Sequence, residues 1–218
     1  LRPCTAMFVH FSEIDFDSVE AGGQLNELVC LMQAHVGNFG GALLQIIIGD
    51  KGSYAYINLG ALGMYEDGAR RAVKLALVLR EAVGSLSFKP SLRIGITQGI
   101  MFVGPYGSVS RKTFGALGDD VNLCARLMTS AGSGEILISS RVRKALADEF
   151  VFEARPPMVA KGKAEPVPVF SIISLKQHRA IRLQEPAYVL PMIGRERELQ
   201  IISEKLEQTL QGKGQIVG

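Results

Sequence analysis

The chain has no tryptophan, only three histidines and three cysteines, and an aromatic content of 7% in 218 residues. Cys4, Cys30 and Cys124 are odd in number and unrelated in spacing, so neither a disulfide framework nor a cysteine-rich zinc site is expected; they read as reduced thiols of a cytoplasmic protein. Charge of one sign is lacking too. Twenty-four basic against 21 acidic residues leave a net charge of +3, without the basic runs or aromatic interleaving of a nucleic-acid surface. Long apolar runs are missing: the stretch from Ala42 to Ile48 is of strand length, far below the ~20 residues of a membrane helix, and no secretory leader precedes it. The first residue is Leu1, which suggests a piece of a longer chain.

What is present is a 47% hydrophobic chain, enough for one full core and a short appended segment. Thr5–Phe11 reads as a strand. Asp17 or Ser18 then supplies the N-cap of a helix through Leu25, Leu28, Met32 and Val36. Ala42–Ile48 and Tyr54–Leu59 form a hairpin around Gly49-Asp50-Lys51-Gly52. Glu66 and Asp67 open a second helix ending near Gly84, and Leu92–Ile96 is the next strand. That order, β-α-β-β-α-β, predicts an α+β fold with a ferredoxin-like core. A hairpin arm over Gly99–Gly118, with Gly104, Pro105 and Gly107 at its tip, follows, and then C-terminal α/β elements: a helix over Asp119–Ala131, a strand over Glu135–Ser139, a helix over Ser140–Asp148, and strands near Phe150–Phe152 and Val167–Ile173. The expected division is a domain over 1–175, a linker over 176–191 and a further element over 192–218, entered through Gly194.

Asn122 and Arg126, four residues apart on the predicted third helix, share one face and can reach one ligand together. The segment FGALGDDVNLCARLM (114–128), with LRIGITQGIMFVGPYG upstream and AKGKAEPVPVF downstream, resembles class III adenylyl and guanylyl cyclases over roughly residues 1–175. The family's G-x-x-V-N-x-x-x-R helix falls on Gly118, Val121, Asn122 and Arg126, and its late K-G pair on Lys161 and Gly162. The resemblance implies conversion of ATP or GTP to a cyclic monophosphate and pyrophosphate. Asn122 would orient the ribose, Arg126 would stabilise phosphate charge, and Lys161, with Lys163 less closely matched, would contact the triphosphate. Without the resemblance, two lysines beside glycine are an ordinary solvated loop.

The family holds two Mg2+ or Mn2+ ions on two aspartates. Asp50 matches the second, but the first falls on His10, with Glu13 and Asp15 out of register. An imidazole does not replace a carboxylate that bridges two hard cations, so both ions are expected to be held mainly by another domain. The base-reading positions fall on Gln45 or Ile46 and on Gly115, which leaves adenine versus guanine open. These departures imply the half of a two-domain cyclase that supplies Asn, Arg and Lys, paired with a tandem neighbour or with a second copy. MIGRERELQIISEKLEQTL resembles the start of the P-loop ATPase module that follows the second cyclase domain in soluble adenylyl cyclases, although GKG at 212–214 is not itself a phosphate loop. The alternatives are a catalytically inactive pseudo-cyclase domain with a regulatory or dimerisation role, or another palm-type enzyme such as a diguanylate cyclase, whose G-G-D-E-F turn is absent from IGDKGS. A purely capping role for Asp119, Asp120 and Asn122 explains single residues and not the joint pattern.

Overall fold

The computed structural model describes residues 1–49, 52–146, 149–159, 166–176 and 194–214. The chain divides into two compact units, Leu1–Lys176 and Gln177–Gly218. In the second, the described element is helix α5 (Glu196–Leu210), none of whose residues is buried.

The first unit opens with strand β1 (Arg2–Phe11), helix α1 (Ala21–Asn38), the hairpin β2 (Gly41–Ile47) and β3 (Ser53–Leu59), helix α2 (Gly68–Ala82) and strand β4 (Leu92–Gly107). It continues with β5 (Lys112–Leu117), α3 (Asp119–Ser130), β6 (Ile136–Ser139), α4 (Ser140–Ala145), β7 (Phe150–Met158) and β8 (Val167–Leu175). The strands form one mixed sheet in the order β2-β3-β1-β4-β6-β8-β7, with β5 attached to β4. β1 lies antiparallel between β3 and β4, the arrangement of the ferredoxin-like core that the element order predicts.

The position of β1 explains why Ala6–Val9 is an unbroken apolar run. Met7, Val9 and Phe11 point into a core shared with Leu28, Met32 and Val36 of α1 and with Ala72, Val73, Ala76 and Leu79 of α2. Cys4, Ala6 and Phe8 point the other way, into a smaller core with Met101, Ala116, Cys124 and Met128. A central strand covered on both faces needs no polar alternation. The two long helices α1 and α2 therefore lie on one face and α3 on the other.

Two local expectations are corrected. Helix α1 starts at Ala21, not after Asp17 or Ser18, and its N-cap Glu20 makes no side-chain cap bond. The Asp15 carboxylate accepts from the Asp17 amide (3.1 Å) and its carbonyl from the Ser18 amide (3.0 Å), so these residues form a turn ahead of the helix. In the arm, β4 runs unbroken through Gly104 and Pro105, which pair with Gly115 and Phe114, and the tip is Ser108–Arg111. A two-stranded arm tolerates a proline because its outer edge needs no N–H.

Candidate functional site

Helix α3 is seated by contacts that sequence spacing does not reveal. Leu123, Cys124, Leu127 and Met128 face the sheet and are buried. Beneath them, Gly95 of β4 has no space for a side chain: a Cβ there would run into the Cys124 carbonyl and the Met128 amide. The Cys124 thiol donates to the carbonyls of Ala6 (3.2 Å) and Gly95 (3.0 Å), and complete burial pushes it up to about 12. The first turn is pinned separately. Thr97 Oγ1 donates to the Asp120 carbonyl (2.6 Å), and Arg141 bridges the Asp120 carboxylate (3.3 Å) and the Gln98 carbonyl (3.0 Å). Gly99 leaves the space that the Asp120 carboxylate fills.

The opposite face of α3 carries Asn122, exposed, and Arg126, half-buried. Neither side chain has a hydrogen-bond or ion-pair partner among the described residues, so the amide and the guanidinium are both uncommitted on this face. Val121, one residue earlier, is half-buried against the smaller core and serves as packing.

Of the two base-reading candidates on β2, the structure separates Gln45 from Ile46. A bulge between Leu43 and Gln45 sets Gln45 opposite Tyr56, on the α3 side of the sheet, whereas Ile46 packs into the α1/α2 core. Gln45 is exposed. Gly115 is buried, and the ring of Tyr106 lies where its side chain would be: Tyr106 Cε1 is 3.0 Å from a Cβ built there.

His10 lies opposite Tyr54 and Arg93 in the flanking strands. Its Nε2 is 3.1 Å from an Arg93 guanidinium nitrogen, and Gly52, at φ 109°, brings the hairpin turn against the same atom. With Arg93 donating, Nε2 is the acceptor of a neutral ring whose buried Nδ1 has no partner among the described residues. Burial, with Arg93 second, lowers the His10 pKa below 6.5. A fixed guanidinium at hydrogen-bond distance repels a divalent cation, and no cluster of three His, Cys, Asp or Glu exists among the described residues. The first-strand position therefore does not fit a Mg2+ or Mn2+ site. Asp15 is spent on its own turn and Glu13, at φ 70°, is exposed beyond the strand end. Asp50, Lys161 and Lys163 lie outside the described residues.

The family model for the adenylate and guanylate cyclase catalytic domain matches residues 7–174. The chain belongs to this family. Among curated proteins it is 25% identical over 219 residues to mouse adenylate cyclase type 10, covering 96% of this chain and 13% of that protein. It thus spans about an eighth of the length of that relative. The aggregation-specific adenylate cyclase of Dictyostelium discoideum is 30% identical over 42% of the chain. Solved cyclase domains share the fold. The guanylate cyclase domain of RhGC from Catenaria anguillulae, in complex with GTP, superposes with a TM-score of 0.71 at 23% identity, over 80% of this chain and 97% of that one. The adenylyl cyclase CyaB from P. aeruginosa gives 0.71 at 20% identity, over 80% and 95%.

The residues that sequence reasoning missed in this cyclase domain are those that position α3: Gly95, Thr97, Gly99 and Arg141. Two glycines inside an apolar strand pattern were the available signal, since such glycines mark close backbone approach.

Proposed function

We propose that this cyclase domain is one half of a composite nucleotide cyclase site, supplying Asn122, Arg126 and Lys161 to a purine nucleoside triphosphate whose metal ions are carried by a second cyclase domain. The observation that carries the reading is an asymmetry. The outward face of α3 presents Asn122 and Arg126 free of internal partners on a rigidly seated helix, while the first-strand position holds His10 against Arg93 instead of a carboxylate. In the reaction the ribose 3′-oxygen attacks the α-phosphorus, the bond to the β-phosphate oxygen breaks, and pyrophosphate leaves. Asn122 holds the ribose so that the 3′-oxygen is in line. Arg126 places positive charge where phosphate charge builds, and Lys161 adds a second cation to the triphosphate.

ATP is the proposed substrate, in keeping with the adenylate cyclase type 10 relatives. Residues 192–218 are proposed as the start of a following ATPase module on the resemblance carried by MIGRERELQIISEKLEQTL. The proposed location is the cytoplasm: all three cysteines are free thiols, and no helix among the described residues is long and apolar enough to cross a membrane. A second reading, a pseudo-cyclase that only pairs and regulates, is favoured by the His10–Arg93 contact.

Cyclic nucleotide production with Mn2+ decides between them, measured for the domain alone and mixed with a cyclase domain that keeps both metal aspartates. The half-site reading expects activity in the mixture only, lowered about a hundred-fold or more by Arg126→Ala with unchanged folding. Turnover that is indifferent to Arg126→Ala, or absent from a mixture whose two domains both fold, rejects it in favour of the pseudo-cyclase.

A further inference from the structure

We infer that Tyr106 is the base-contacting residue of this half-site, acting in place of a side chain at position 115; the inference rests on the half-site reading above. Gly115 contributes no side chain, and the adjacent space is taken by Tyr106 from the neighbouring strand, with its ring edge 3.0 Å and its hydroxyl 3.6 Å from a Cβ built on Gly115. Tyr106 as a whole stays 42% exposed, so part of it remains accessible to a ligand.

Tyr56, whose hydroxyl reaches the strand next to Gly115, is fully engaged. Its hydroxyl donates to the Ala116 carbonyl (2.9 Å) and accepts from Asn58 Nδ2 (3.2 Å), its ring stacks on Phe8 at 4.6 Å between centroids, and burial holds its pKa well above the ordinary phenol range. Tyr56 is buried and spent on these contacts, so it is not available to read a ligand. Tyr106 differs: its hydroxyl has no partner among the described residues, and neither does the exposed amide of Gln45, which sits opposite Tyr56 on β2. Tyr106 and Gln45 thus each offer an uncommitted group able to donate and accept. β5 leads from Gly115 through Gly118 directly into the helix that carries Asn122 and Arg126.

A part-exposed aromatic side chain with a free hydroxyl suits a purine, which can stack on the ring and offer a donor and acceptor edge to Tyr106 and Gln45. The stacking surface accepts either purine. Discrimination between the adenine and guanine edges falls to the hydroxyl and the amide, both of which can rotate.

The test uses the two-domain mixture described above, with KM and kcat for ATP and GTP and with inhibition by inorganic tripolyphosphate, a probe that has phosphates and no base. Tyr106→Ala should raise KM for the preferred nucleotide about tenfold while kcat and tripolyphosphate inhibition stay close to the parent values. Tyr106→Phe keeps the ring and should narrow the ratio of kcat/KM between ATP and GTP. The inference is overturned if Tyr106→Ala leaves KM for both nucleotides unchanged, or weakens tripolyphosphate as much as nucleotide, or if Tyr106→Phe leaves the ratio intact. Arg126→Ala in the same assay separates the two layers: it should lower kcat for both nucleotides equally. Loss of that effect removes the half-site reading itself, whereas its retention with an inert Tyr106 removes only the present inference.

Discussion

Replacing Gly95 by alanine adds one methyl group beneath α3 at a place where the obstacles are backbone atoms. The new Cβ meets the Cys124 carbonyl and the Met128 amide, and stands 3.0 Å from Leu127 Cβ. None of these can rotate aside. Restoring ordinary carbon separations of about 3.5 Å requires the helix to lift by roughly 1 Å. Overpacking of this kind costs about 1–3 kcal/mol. A lifted helix also stretches the bonds from the Cys124 thiol to Ala6 and Gly95, at about 1 kcal/mol net. The total is about 2–4 kcal/mol, which for a unit of this size lowers Tm by about 5–15 °C. Displacement by roughly 1 Å also moves Asn122 and Arg126, at a rate cost of about a hundred-fold. Thermal unfolding of Gly95→Ala, followed by turnover in the two-domain mixture well below its Tm, measures both effects. A Tm within 2 °C of the parent (about 0.5–1 kcal/mol) refutes the packing argument, and a lowered Tm with full turnover refutes the link from Gly95 to the site.

Three further outcomes are expected. In native protein a thiol reagent should modify Cys30 alone, because Cys4 and Cys124 are buried with raised pKa values; rapid labelling of all three before unfolding would contradict the structure. The depressed pKa of His10 means that the unfolded chain binds the extra proton first as acid is added. Its contribution is complete above pH 6.5 and is lost as pH falls through the folded value, so the stability of the parent relative to His10→Gln should decline below pH 6.5, and parallel curves would refute this. Restoring the carboxylate with His10→Asp should not by itself create tight Mn2+ binding, since Arg93 would pair with the new aspartate. Calorimetric titration should detect a metal site only after Arg93 is also replaced, and tight binding to the single variant would overturn that account.

The element order is readable from periodicity because each segment makes its own pattern: β1 carries an unbroken apolar run at Ala6–Val9, and α2 spaces its buried residues at helical intervals. Asn122 and Arg126 were readable for the same reason, since a spacing of four is a local property. The start of α1 is not legible from Asp17 and Ser18, because by type these residues serve a turn and a helix start equally well. The arm tip is not legible from Gly104 and Pro105, because both suit a turn by residue type and a strand with a free edge also admits both. Least legible were Gly95, Thr97, Gly99 and Arg141, whose roles depend on partners 20 or more residues away in sequence. The tyrosine over Gly115 is close in sequence but equally hidden, because only the β4–β5 register brings it there.

The unbroken course of β4 has a mechanical consequence. Its 16 residues hold β1 and β6 at one end and the arm strand β5 at the other. At about 3.3 Å per residue it is a bar roughly 50 Å long. Gly95, Thr97 and Gly99, which bear on α3, lie along the half anchored in the sheet. A load applied to the arm is carried along this strand into hydrogen-bond ladders that resist shear, and any slip of register would be felt first under the helix that holds Asn122 and Arg126.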